Sequence, residues 1–417
     1  MDRGRVNQLA TPHVTRPDAS PRPRDGVRAN ASTEIVVSGV ADFAALGVKW
    51  RDLEARSNNS FFQSWTWTGC LADERFPDPV LVEAREHGRT VALALFNRRG
   101  RTLYLGESGD KAQDCVFIEF NGVLAETGLE GRLTAACLEA ARAWSGHGCR
   151  AWPGRWPALS GLRRRRLVLS GVNSTTAVSA AEIGSVRRNR SLPAPFVGFR
   201  ESNDRFLESR SANTRQQLRR SLRDYAAAGA VTIERADTSQ RAYEFLDRLA
   251  ALHQTSWMAR GQPGAFANPF FGRFHRALIA RGLGRGEIDL LRVTAGGQVI
   301  GFLYNFRYHG HSLAYQSGFD YAGATRHEKP GLTCHHEAIG FAARTGATRY
   351  DFLAGDDRYK RSLSDQAEIL HWVEVTNSYS PRFLVGRLRE LIAGRSGAAL
   401  AVQPEAAQET SREVIAA

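Results

Sequence analysis

The sequence predicts an α/β protein of the α+β kind, in which two similar units each fold as a mostly antiparallel twisted sheet flanked by helices. Two observations predict this class. The segment from Glu287 to Arg361 alternates apolar strand patterns, glycine turns and a helical pattern with little interruption. The same succession occurs earlier in the chain, where Val91 matches Val299. Leu103 matches Leu313 at nearly the same offset, so we infer an internal duplication of pattern without identity of residues.

The first unit begins after a tail. Residues 1–33 carry four prolines among Arg, Ser and Asp and have no apolar periodicity, so we expect them to be disordered. Folding is predicted to begin near Glu34, and apolar spacing predicts helices over Phe43–Arg56 and around Trp67–Leu71. Strand patterns follow at Val80–Ala84, Val91–Phe96, Leu103–Gly106 and Val116–Phe120. A helix is then predicted from about Leu129 to Trp144.

The second unit follows a link, which we place at Ala151–Pro195 because this stretch holds runs of Arg and closes with Pro193 and Pro195. A long helix is predicted from Ser202 to Ala228, and Gly229 ends it. The remaining predicted elements are the strand Val231–Glu234, a helical stripe through Phe245, Leu249 and Leu252, the helix Phe270–Arg281, the strands Ile288–Val293, Val299–Phe306, Leu313–Phe319 and Tyr350–Leu353, and the helix Leu332–Arg344.

These patterns predict four regions. They are a disordered tail over residues 1–33, a first domain over 34–195, a second domain over 196–375, and a C-terminal region over 376–417. The last region is expected to contain one amphipathic helix, Phe383–Ile392, and a flexible polar tail.

Composition favours a globular protein in a reducing cytoplasm. The 417 residues are 42% hydrophobic and 24% charged, which is ordinary for a globular chain with buried cores. Five scattered cysteines without a CxxC pair argue against a disulfide framework or a structural zinc site, and we expect no metal. Because no apolar run reaches about 18 residues, we also expect no transmembrane segment.

The positive charge is concentrated in one region. The stretch 142–223 contains 17 Arg, no Lys and four acidic residues, so it accounts for the whole net charge of +13. This basic belt suggests an anionic partner, such as a nucleic acid, another polyanion, a membrane surface or the phosphates of a cofactor. The alternative is that Arg simply replaces Lys on solvated faces, as it does throughout this sequence.

The best phosphate-site candidate is Pro330-Gly331, which opens a helix after a strand. Proline suits the first helical turn, glycine allows close approach, and the N–H groups of Gly331, Leu332 and Thr333 with the helix dipole would hold a pyrophosphate. Arg326 and Lys329 would add positive charge. The competing interpretation is an ordinary turn.

Other candidates are polar or aromatic side chains on one helix face or at the ends of predicted strands. They are His253 and Trp257 one helical turn apart, Asp320 and Asp351 at strand ends, and Tyr359 and Lys360 after Gly355. Each has a structural alternative: a satisfied core histidine, a cap on a turn, or a solvated side chain. His335-His336-Glu337 lacks the spacing of a metal site.

The order of these motifs resembles the GNAT-type acyl-CoA N-acyltransferases. The branch it is similar to is that of the CelD-like proteins of cellulose biosynthesis, related more distantly to the Fem-type aminoacyl transferases. The resemblance covers roughly residues 35–375. It rests on Arg215-Gln-Gln-Leu-Arg-Arg220, Gly229, His253-x-x-x-Trp257-x-x-Arg-Gly261, Gly318-Phe-Asp320, Pro330-Gly331 and Asp351-Phe-Leu-x-Gly355-x-x-x-Tyr359-Lys360.

The resemblance implies tandem GNAT-like domains and transfer of an acyl group from acyl-CoA, such as acetyl-CoA, to an amine on a small molecule or saccharide, as in polysaccharide or cell-envelope biosynthesis. It implies a thioester site at Leu313–Phe319 and a pyrophosphate site at Gly331–Thr333. His253 and Asp320 become candidates for the base, while Tyr359 or Tyr315 would protonate the leaving thiolate. Trp257, Asp351 and Lys360 are candidates for acceptor binding.

Two alternatives stay open. The loop Arg326-His-Glu-Lys-Pro-Gly331 departs from the family pattern R/Q-x-x-G-x-G/A, which keeps an aminoacyl-tRNA donor open, as in Fem-type relatives. The second alternative is a basic protein that binds nucleic acid or another polymer through the 142–223 belt. Against it, the rows of Arg in this belt lack interleaved aromatic residues. Whether the donor is acyl-CoA or aminoacyl-tRNA, we expect the first unit to be a scaffold or an acceptor wall. One active site is then expected beside Pro330-Gly331.

Overall fold

The computed structural model describes residues 33–146, 164–199 and 206–376. Its helices are α1 (Phe43–Glu54), α2 (Trp65–Arg75), α3 (Glu130–Ala143), α4 (Ser174–Ile183), α5 (Ala212–Ala228), α6 (Ser239–Met258), α7 (Pro269–Gly282), α8 (Pro330–Arg344) and α9 (Arg358–Leu363). Its strands are β1 (Glu34–Gly39), β2 (Pro79–Glu86), β3 (Arg89–Arg99), β4 (Thr102–Leu105), β5 (Leu124–Ala125), β6 (Arg166–Asn173), β7 (Ser185–Gly198), β8 (Val231–Arg235), β9 (Ile288–Ala295), β10 (Gln298–Tyr308), β11 (His311–Phe319), β12 (Arg349–Asp351) and β13 (Gln366–Thr376).

The strands form one mixed sheet that is mostly antiparallel. Its order is β1-β2-β3-β4-β6-β13-β7-β12-β11-β10-β9-β8, and β5 pairs with β3. The two parallel contacts in this order are β4 with β6 and β11 with β12. The predicted fold class is confirmed, and the duplication is visible element by element: β2-β3-β4 corresponds to β9-β10-β11, and α3 corresponds to α8.

The two halves exchange their last strands. β13, from the second half, pairs with β6 of the first half, while β7, from the first half, pairs with β12 of the second. β7 and β13 also pair with each other over most of their length. The boundary predicted at 195/196 therefore falls inside a central strand, and the division into two domains stays a prediction.

Helices cover both faces of the sheet. On one face α1 and α2 pack with α6 and α7 in a core that joins the halves, in which the Phe61 ring stacks on Phe306 at 4.2 Å between centroids. On the other face α3 and α4 cover the first half, and α5 and α8 cover the second. Aromatic pairs of this kind stabilise a fold by more than their buried apolar area alone would. This shared core therefore holds the two halves in one orientation.

The prediction of a linker over Ala151–Pro195 is wrong over most of that stretch, because β6, α4 and β7 all lie between residues 166 and 198. Prolines normally exclude a central strand. In β7, however, Pro193 and Pro195 lie where β12 has already ended, and there their carbonyls accept hydrogen bonds from Gly355 N–H (2.8 Å) and Phe352 N–H (2.9 Å). Acceptors alone are needed at these two positions, so proline is tolerated.

Two further predictions are corrected. Val116–Phe120 is not a strand of the sheet, and only the neighbouring Asn121 makes a bridge, to Val172. The helix predicted from Ser202 begins at Ala212, because the Ser211 side chain caps it by accepting from Thr214 N–H. The predicted tail over residues 1–33 lies, apart from Thr33, outside the described residues, as does the predicted helix Phe383–Ile392. Within the described part of the chain, each helix is too short or too polar to span a bilayer.

Candidate functional site

The site begins where β11 and β12 diverge. Their parallel pairing covers only His311–Leu313 of β11. Beyond it, Leu353 takes a positive φ of 60° and the chain turns from β11 towards β7. The divergence leaves a gap beside the second half of β11, from Ala314 to Phe319, and a cavity occupies this gap.

We call this space the inner cavity. Its volume is about 120 Å³, and its walls come from β11, α6, α8, the loop after β12, α9 and one segment of the first half. The residues used below are His253 and Trp257 of α6, Arg260 after it, Tyr315 and Ser317 of β11, Tyr321, His335 of α8, Leu353, Ala354 and Asp357 after β12, Tyr359 and Lys360 of α9, and Phe117 and Glu119 of the first half.

A second opening, the outer cleft, lies at the beginning of two helices. Its volume is about 900 Å³, and it is lined by the first turns of α5 and α8, the loop before α8, and α9. Tyr321 and Tyr359 line both openings, so the outer cleft and the inner cavity are adjacent. A long ligand with two chemically different ends could occupy both.

The outer cleft is strongly cationic. Among its described lining residues, five carry positive charge, namely Arg210, Arg326, Lys329, Arg358 and Arg361, whereas one carboxylate, Asp365, is present. Asp365 pairs with Arg210 at 3.4 Å. The dipoles of α5 and α8 add positive potential at the same place. This combination favours a ligand that carries several negative charges.

The beginning of α8 offers backbone donors to the outer cleft. Gly331 and Leu332 occupy its first turn and line the cleft, and first-turn N–H groups have no partner within a helix. Thr333 differs from the prediction: its N–H donates to Lys329 O at 2.9 Å, and its hydroxyl lies 2.8 Å from Ser221 Oγ in a fully buried position. The N–H groups of Gly331 and Leu332 are thus the ones that could meet an anion.

Gly331 also lies close to the end of β11. A Cβ atom at this position would lie 3.2 Å from Tyr321 Oη and 3.3 Å from Phe319 Cε2. The glycine therefore lets the helix start approach the end of β11, which brings the outer cleft next to the inner cavity. Gly318 has a comparable role, because a Cβ there would lie 2.3 Å from Leu249 O of α6.

His253 lies in the inner cavity with both ring nitrogens engaged. Its Nδ1 is 3.1 Å from Ser317 O, and its Nε2 accepts from Ala265 N–H at 3.3 Å. Burial lowers the pKa of His253 to about 4, so the ring is neutral at neutral pH. These contacts fix the Nδ1–H tautomer and tie α6 to β11, which describes a positioning residue better than a base.

Two of the three other catalytic candidates, Tyr315 and Asp320, lie in different environments. Tyr315 lines the inner cavity, where its hydroxyl accepts from Phe117 N–H at 3.1 Å, and burial raises the pKa of this phenol well above its ordinary value. Asp320 is not among the described residues that line either opening. Its Oδ1 accepts from Gly323 N–H at 3.0 Å, which is the turn-capping role that the sequence left open.

The candidates for acceptor binding also lie in different environments. Trp257 lies in the inner cavity wall under the Arg260 guanidinium, 5.6 Å from its ring centroid. Asp351 is fully buried and does not reach either opening within the described residues; its Oδ2 accepts from Arg349 Nε at 3.0 Å and its Oδ1 from Leu353 N–H at 2.7 Å. Burial raises the pKa of Asp351 to about 6. Asp351 therefore shapes the turn after β12 and lies outside the described lining of the inner cavity.

Lys360 and Tyr359 are where the sequence suggested, at the edge of the cavity. Lys360 Nζ donates to Leu353 O (3.2 Å) and Ala354 O (2.9 Å), and it lies 3.8 Å from Asp357. The ammonium group thus holds the strained turn that contains Leu353 in place. The Tyr359 ring stacks on His335 at 5.2 Å, which places the phenol between the outer cleft and the inner cavity.

Sequence reasoning missed Glu119, which belongs to the first half. Glu119 is 2% exposed, lines the inner cavity and accepts a hydrogen bond from Ala354 N–H. The only signal in the sequence is an acidic residue within the apolar segment Val116–Phe120. Arg358 and Arg361 of α9 and Arg210 were also missed, since their relation to the outer cleft depends on the tertiary fold.

The equivalent gap in the first half is closed. β4 and β6 also pair in parallel and then diverge, but the side chain of Asn121 lies between them. Its Nδ2 donates to Leu105 O at 3.0 Å and to Ser170 O at 3.1 Å. The segment that ends at Asn121 is the same one that carries Phe117 and Glu119 to the inner cavity. The first half thus contributes a wall to the site of the second half.

The described part of the predicted basic belt does not form one continuous surface. Among its described members, Arg142, Arg165 and Arg210 are buried, and Arg165 donates to the carbonyls of Trp144 and Gly100. These side chains stabilise the fold. The exposed members lie mainly on β7 and on α5 beside the outer cleft. The described residues contain no group of three or more His, Cys, Asp and Glu arranged to hold a metal ion.

Comparisons with known proteins agree with this geometry. Residues 212–361 match the model of the Acetyltransferase (GNAT) domain family, a range that contains both openings except for the first-half residues and the edges of the outer cleft. No curated protein sequence matches the chain.

Among solved structures, FemX is similar over 85% of this chain and 99% of its own, with a TM-score of 0.53 and 10% identity. L-PGS from Bacillus licheniformis is similar over 83% of this chain and 96% of its own, with a TM-score of 0.50 and 11% identity. At these identities the similarity concerns the fold, and it covers both halves. Residues 212–361 thus match an acetyltransferase (GNAT) domain, and the protein that contains them is an acyltransferase.

Proposed function

We propose that the protein transfers an acyl group from acyl-CoA to a primary amine, in the cavity between β11 and the loop after β12. The observation that carries the proposal is the adjacency of the two openings. The outer cleft is cationic and contains two helix starts, while the inner cavity lies against the open edge of β11. Coenzyme A has phosphates at one end and a thioester at the other, and it would place each end in a matching environment.

The phosphate end would bind at the beginning of α8. The N–H groups of Gly331 and Leu332 and the charges of Lys329, Arg326 and Arg358 surround this point. Helix starts favour phosphate because their donors and their dipole act together. The departure of the loop from the family pattern R/Q-x-x-G-x-G/A is offset here by cations supplied from α9.

The thioester end would lie along β11. Ser317 O faces His253 and not β10, and in a strand the N–H and C=O of one residue point to the same side. The Ser317 N–H therefore faces the inner cavity, where it could donate to the thioester oxygen and stabilise the charge that forms on it during attack. His253 would keep this strand edge and α6 in register.

Protonation of the departing sulfur is assigned to a tyrosine at the junction of the two openings. Tyr321 lines both openings, and a tyrosine phenol, with an ordinary pKa of about 10, is protonated at neutral pH. Tyr359 lies at the same junction. Of the candidates named from the sequence, we favour Tyr359 for this step, since Tyr315 lies deeper against Phe117.

A second candidate function uses aminoacyl-tRNA as the donor. The observation that favours it is the exposed basic face of α5, including Arg219 and Arg223, which adjoins the outer cleft. RNA phosphates would be attracted by the same charges as the phosphates of CoA. A role in cellulose, exopolysaccharide or other cell-envelope biosynthesis is a further proposal, supported by the CelD-like resemblance alone.

Thermal unfolding with and without ligand separates the two donors. We expect acetyl-CoA and free CoA to raise the Tm, since a ligand at about 100 times its Kd stabilises by about 2.7 kcal/mol. Lys329→Glu should abolish this shift. Arg248→Glu, an equal charge change at an exposed position of α6, should leave it intact. Binding of tRNA with no response to either thioester or CoA would favour the alternative and contradict the main proposal.

A further inference from the structure

One face of α6 and of the turn that ends it carries three residues that line the inner cavity. His253, Trp257 and Arg260 follow one another at helical spacing, and His253 contacts Ser317 O of β11. With a rise of about 1.5 Å per residue, Arg260 lies about 10 Å beyond His253 in the direction of the helix axis. The inner cavity therefore reaches from the strand edge at Ser317 towards a guanidinium group.

The end of α6 fixes the position of Arg260. Its N–H donates to Trp257 O at 3.0 Å, and the same carbonyl accepts from Gln262 N–H at 3.0 Å. Gly261, between them, takes a positive φ of 71° that allows this turn. The Arg260 guanidinium lies over the Trp257 ring, 5.6 Å from its centroid. A cation held over an aromatic face does not use its N–H donors in that contact, so Arg260 is a preorganised donor on the cavity wall.

The charge of Arg260 lacks a counter-ion from the protein. Within the part of the chain that the structure describes, no carboxylate forms an ion pair with Arg260, whereas Arg276 of α7 pairs with Asp247 of α6. The polar side chain that interacts with Arg260 is the Tyr321 phenol, which is neutral. Burial, and to a smaller extent the charge of Arg260, lowers the pKa of His253 to about 4. The positive potential of Arg260 thus extends into the inner cavity.

The other charged groups of the inner cavity belong to the turn after β12. Lys360 donates to the carbonyls of Leu353 and Ala354. It also lies 3.8 Å from Asp357, while Glu119 accepts from Ala354 N–H. These groups have partners in the protein and hold that turn together. Of the described charged residues that line the cavity, Arg260 is the one that remains for a charged ligand.

Coenzyme A itself would not supply an anion at this place. Its phosphates would lie in the outer cleft, whose described lining does not include Arg260, and its pantetheine arm is uncharged. An anion that reaches Arg260 must therefore belong to the acyl group or to the acceptor. The planar guanidinium matches a carboxylate, to which it can donate two parallel hydrogen bonds. Ser256, one helical turn before Arg260, lines the same cavity and offers a hydroxyl group.

We propose that Arg260 binds a carboxylate of the substrate, so that the reaction has either an amino acid as its acceptor or a dicarboxylic acid as its acyl group. The proposal rests on the proposed function and narrows its substrate class. The carboxylate takes no part in the bond changes. The C–N bond forms, the C–S bond breaks, and one proton of the attacking neutral amine ends on the sulfur, so that CoA leaves as the thiol. Arg260 orients the substrate and exchanges no proton.

The test uses pairs of substrates that differ in one carboxylate. With acetyl-CoA as donor, alanine is compared with ethylamine and lysine with cadaverine. Succinyl-CoA is compared with acetyl-CoA, both in transfer to ethylamine and cadaverine and in the shift in Tm without an acceptor. In Arg260→Gln we expect kcat/KM for the carboxylated member of a pair to fall about 10- to 100-fold, the effect of losing a hydrogen bond to a charged group. For the other member we expect a change of less than about threefold.

Two further variants complete the design. Arg260→Lys should recover part of the preference for the carboxylated substrate, because it keeps the charge but not the planar fork. Arg248→Gln removes an exposed arginine of α6 that is outside the described lining of both openings, and it should change neither rate. The acetyl-CoA shift in Tm should be the same in all four proteins, since this donor carries no carboxylate, and it confirms that folding and donor binding are intact.

The two sources of the carboxylate give different results. A loss with the amino acids alone supports the proposal and places the carboxylate on the acceptor. A loss with succinyl-CoA alone supports it and places the carboxylate on the acyl group.

Three results would overturn the assignment. An equal loss with both members of every pair would show that Arg260 only stabilises the end of α6, where the helix dipole favours a cation. A wild type that prefers no carboxylated substrate, in rate or in Tm shift, would show that no carboxylate reaches Arg260. A preference that Arg260→Gln leaves unchanged would place the carboxylate elsewhere. Absence of acetyl-CoA binding by the wild type is a different outcome, since it defeats the proposed function and this proposal with it.

Discussion

Replacement of the buried His275 should change how the stability of this protein depends on pH. His275 lies on α7 with 0% exposure, among the rings of Phe271, Phe274 and Tyr304, and its Nδ1 is 3.4 Å from Tyr304 Oη. Burial lowers the pKa of His275 from 6.5 to about 3. The folded protein therefore keeps this ring neutral at pH values where the unfolded chain binds a proton.

The magnitude follows from linkage. A histidine with a lowered pKa contributes stability that is fully present above pH 6.5 and is lost as the pH falls towards about 3, because the unfolded state binds more protons in this window. Between pH 7 and pH 5 the loss amounts to about 2 kcal/mol for one such group. The total stability of a domain is about 5–15 kcal/mol, so the effect is measurable.

The pH dependence of stability must be compared between variants, since other titrating groups have the opposite effect on stability as the pH falls. Burial raises the pKa of Glu54 and of Glu107 to about 7, and these carboxylates stabilise the folded state as the pH falls. Urea unfolding of wild type and His275→Gln at pH 7 and pH 5 isolates the one ring, because glutamine retains a polar partner for Tyr304. We expect the variant to lose about 2 kcal/mol less than the wild type over this interval.

The control is His87→Asn, at an exposed turn with a φ of 51° that asparagine accepts. The loss of stability of this variant between pH 7 and pH 5 gives the effect of removing an exposed histidine, and the result for His275→Gln is compared with it. If His275→Gln and wild type lose the same free energy between pH 7 and pH 5, within about 0.5 kcal/mol, then His275 is accessible to protons in the folded state and the reasoning from burial is wrong.

Three further outcomes are expected. Gly318→Ala should destabilise the protein by about 1–3 kcal/mol in urea unfolding, because its Cβ would collide with Leu249 O and force α6 away from β11. Asn121→Ala should cost about 1–3 kcal/mol in urea unfolding for each strand carbonyl left without its donor, whereas acetyl-CoA binding should persist. Lys360→Met should lower stability by about 3–5 kcal/mol, since it removes a buried ammonium group that pairs with Asp357 and donates to the carbonyls of Leu353 and Ala354; a loss below 1 kcal/mol would contradict the role given to Lys360.

The repeated hairpins were predictable because their signals are local. Glycine turns between apolar runs define β9, β10 and β11, and the observed strands differ from the predicted ones by a few residues at their ends. The start of α8 at Pro330 was equally clear from the proline rule. The fold class followed from the order of such segments, and it required no knowledge of how the halves meet.

The parts that escaped prediction depend on contacts between distant segments. β7 reads as a linker because it contains Arg187, Arg188, Pro193 and Pro195, and only the early end of β12 makes the prolines acceptable. Glu119 reads as one acid in an apolar stretch, since its partner Ala354 is 235 residues away along the chain. No periodicity or composition carries information at that separation.

Because β13 of the second half pairs with β6, the first half cannot complete its part of the sheet until the second half has been synthesised. A ribosome makes about 5–20 residues per second, and roughly 180 residues separate the end of β7 from the end of β13, so the nascent first half waits about 10–40 s for its missing neighbour. During this time β6 has an open edge towards the position of β13, and open edges invite pairing with other chains. The arginines of β7, which look misplaced in a central strand, would keep nascent chains apart by charge repulsion until the last strand emerges.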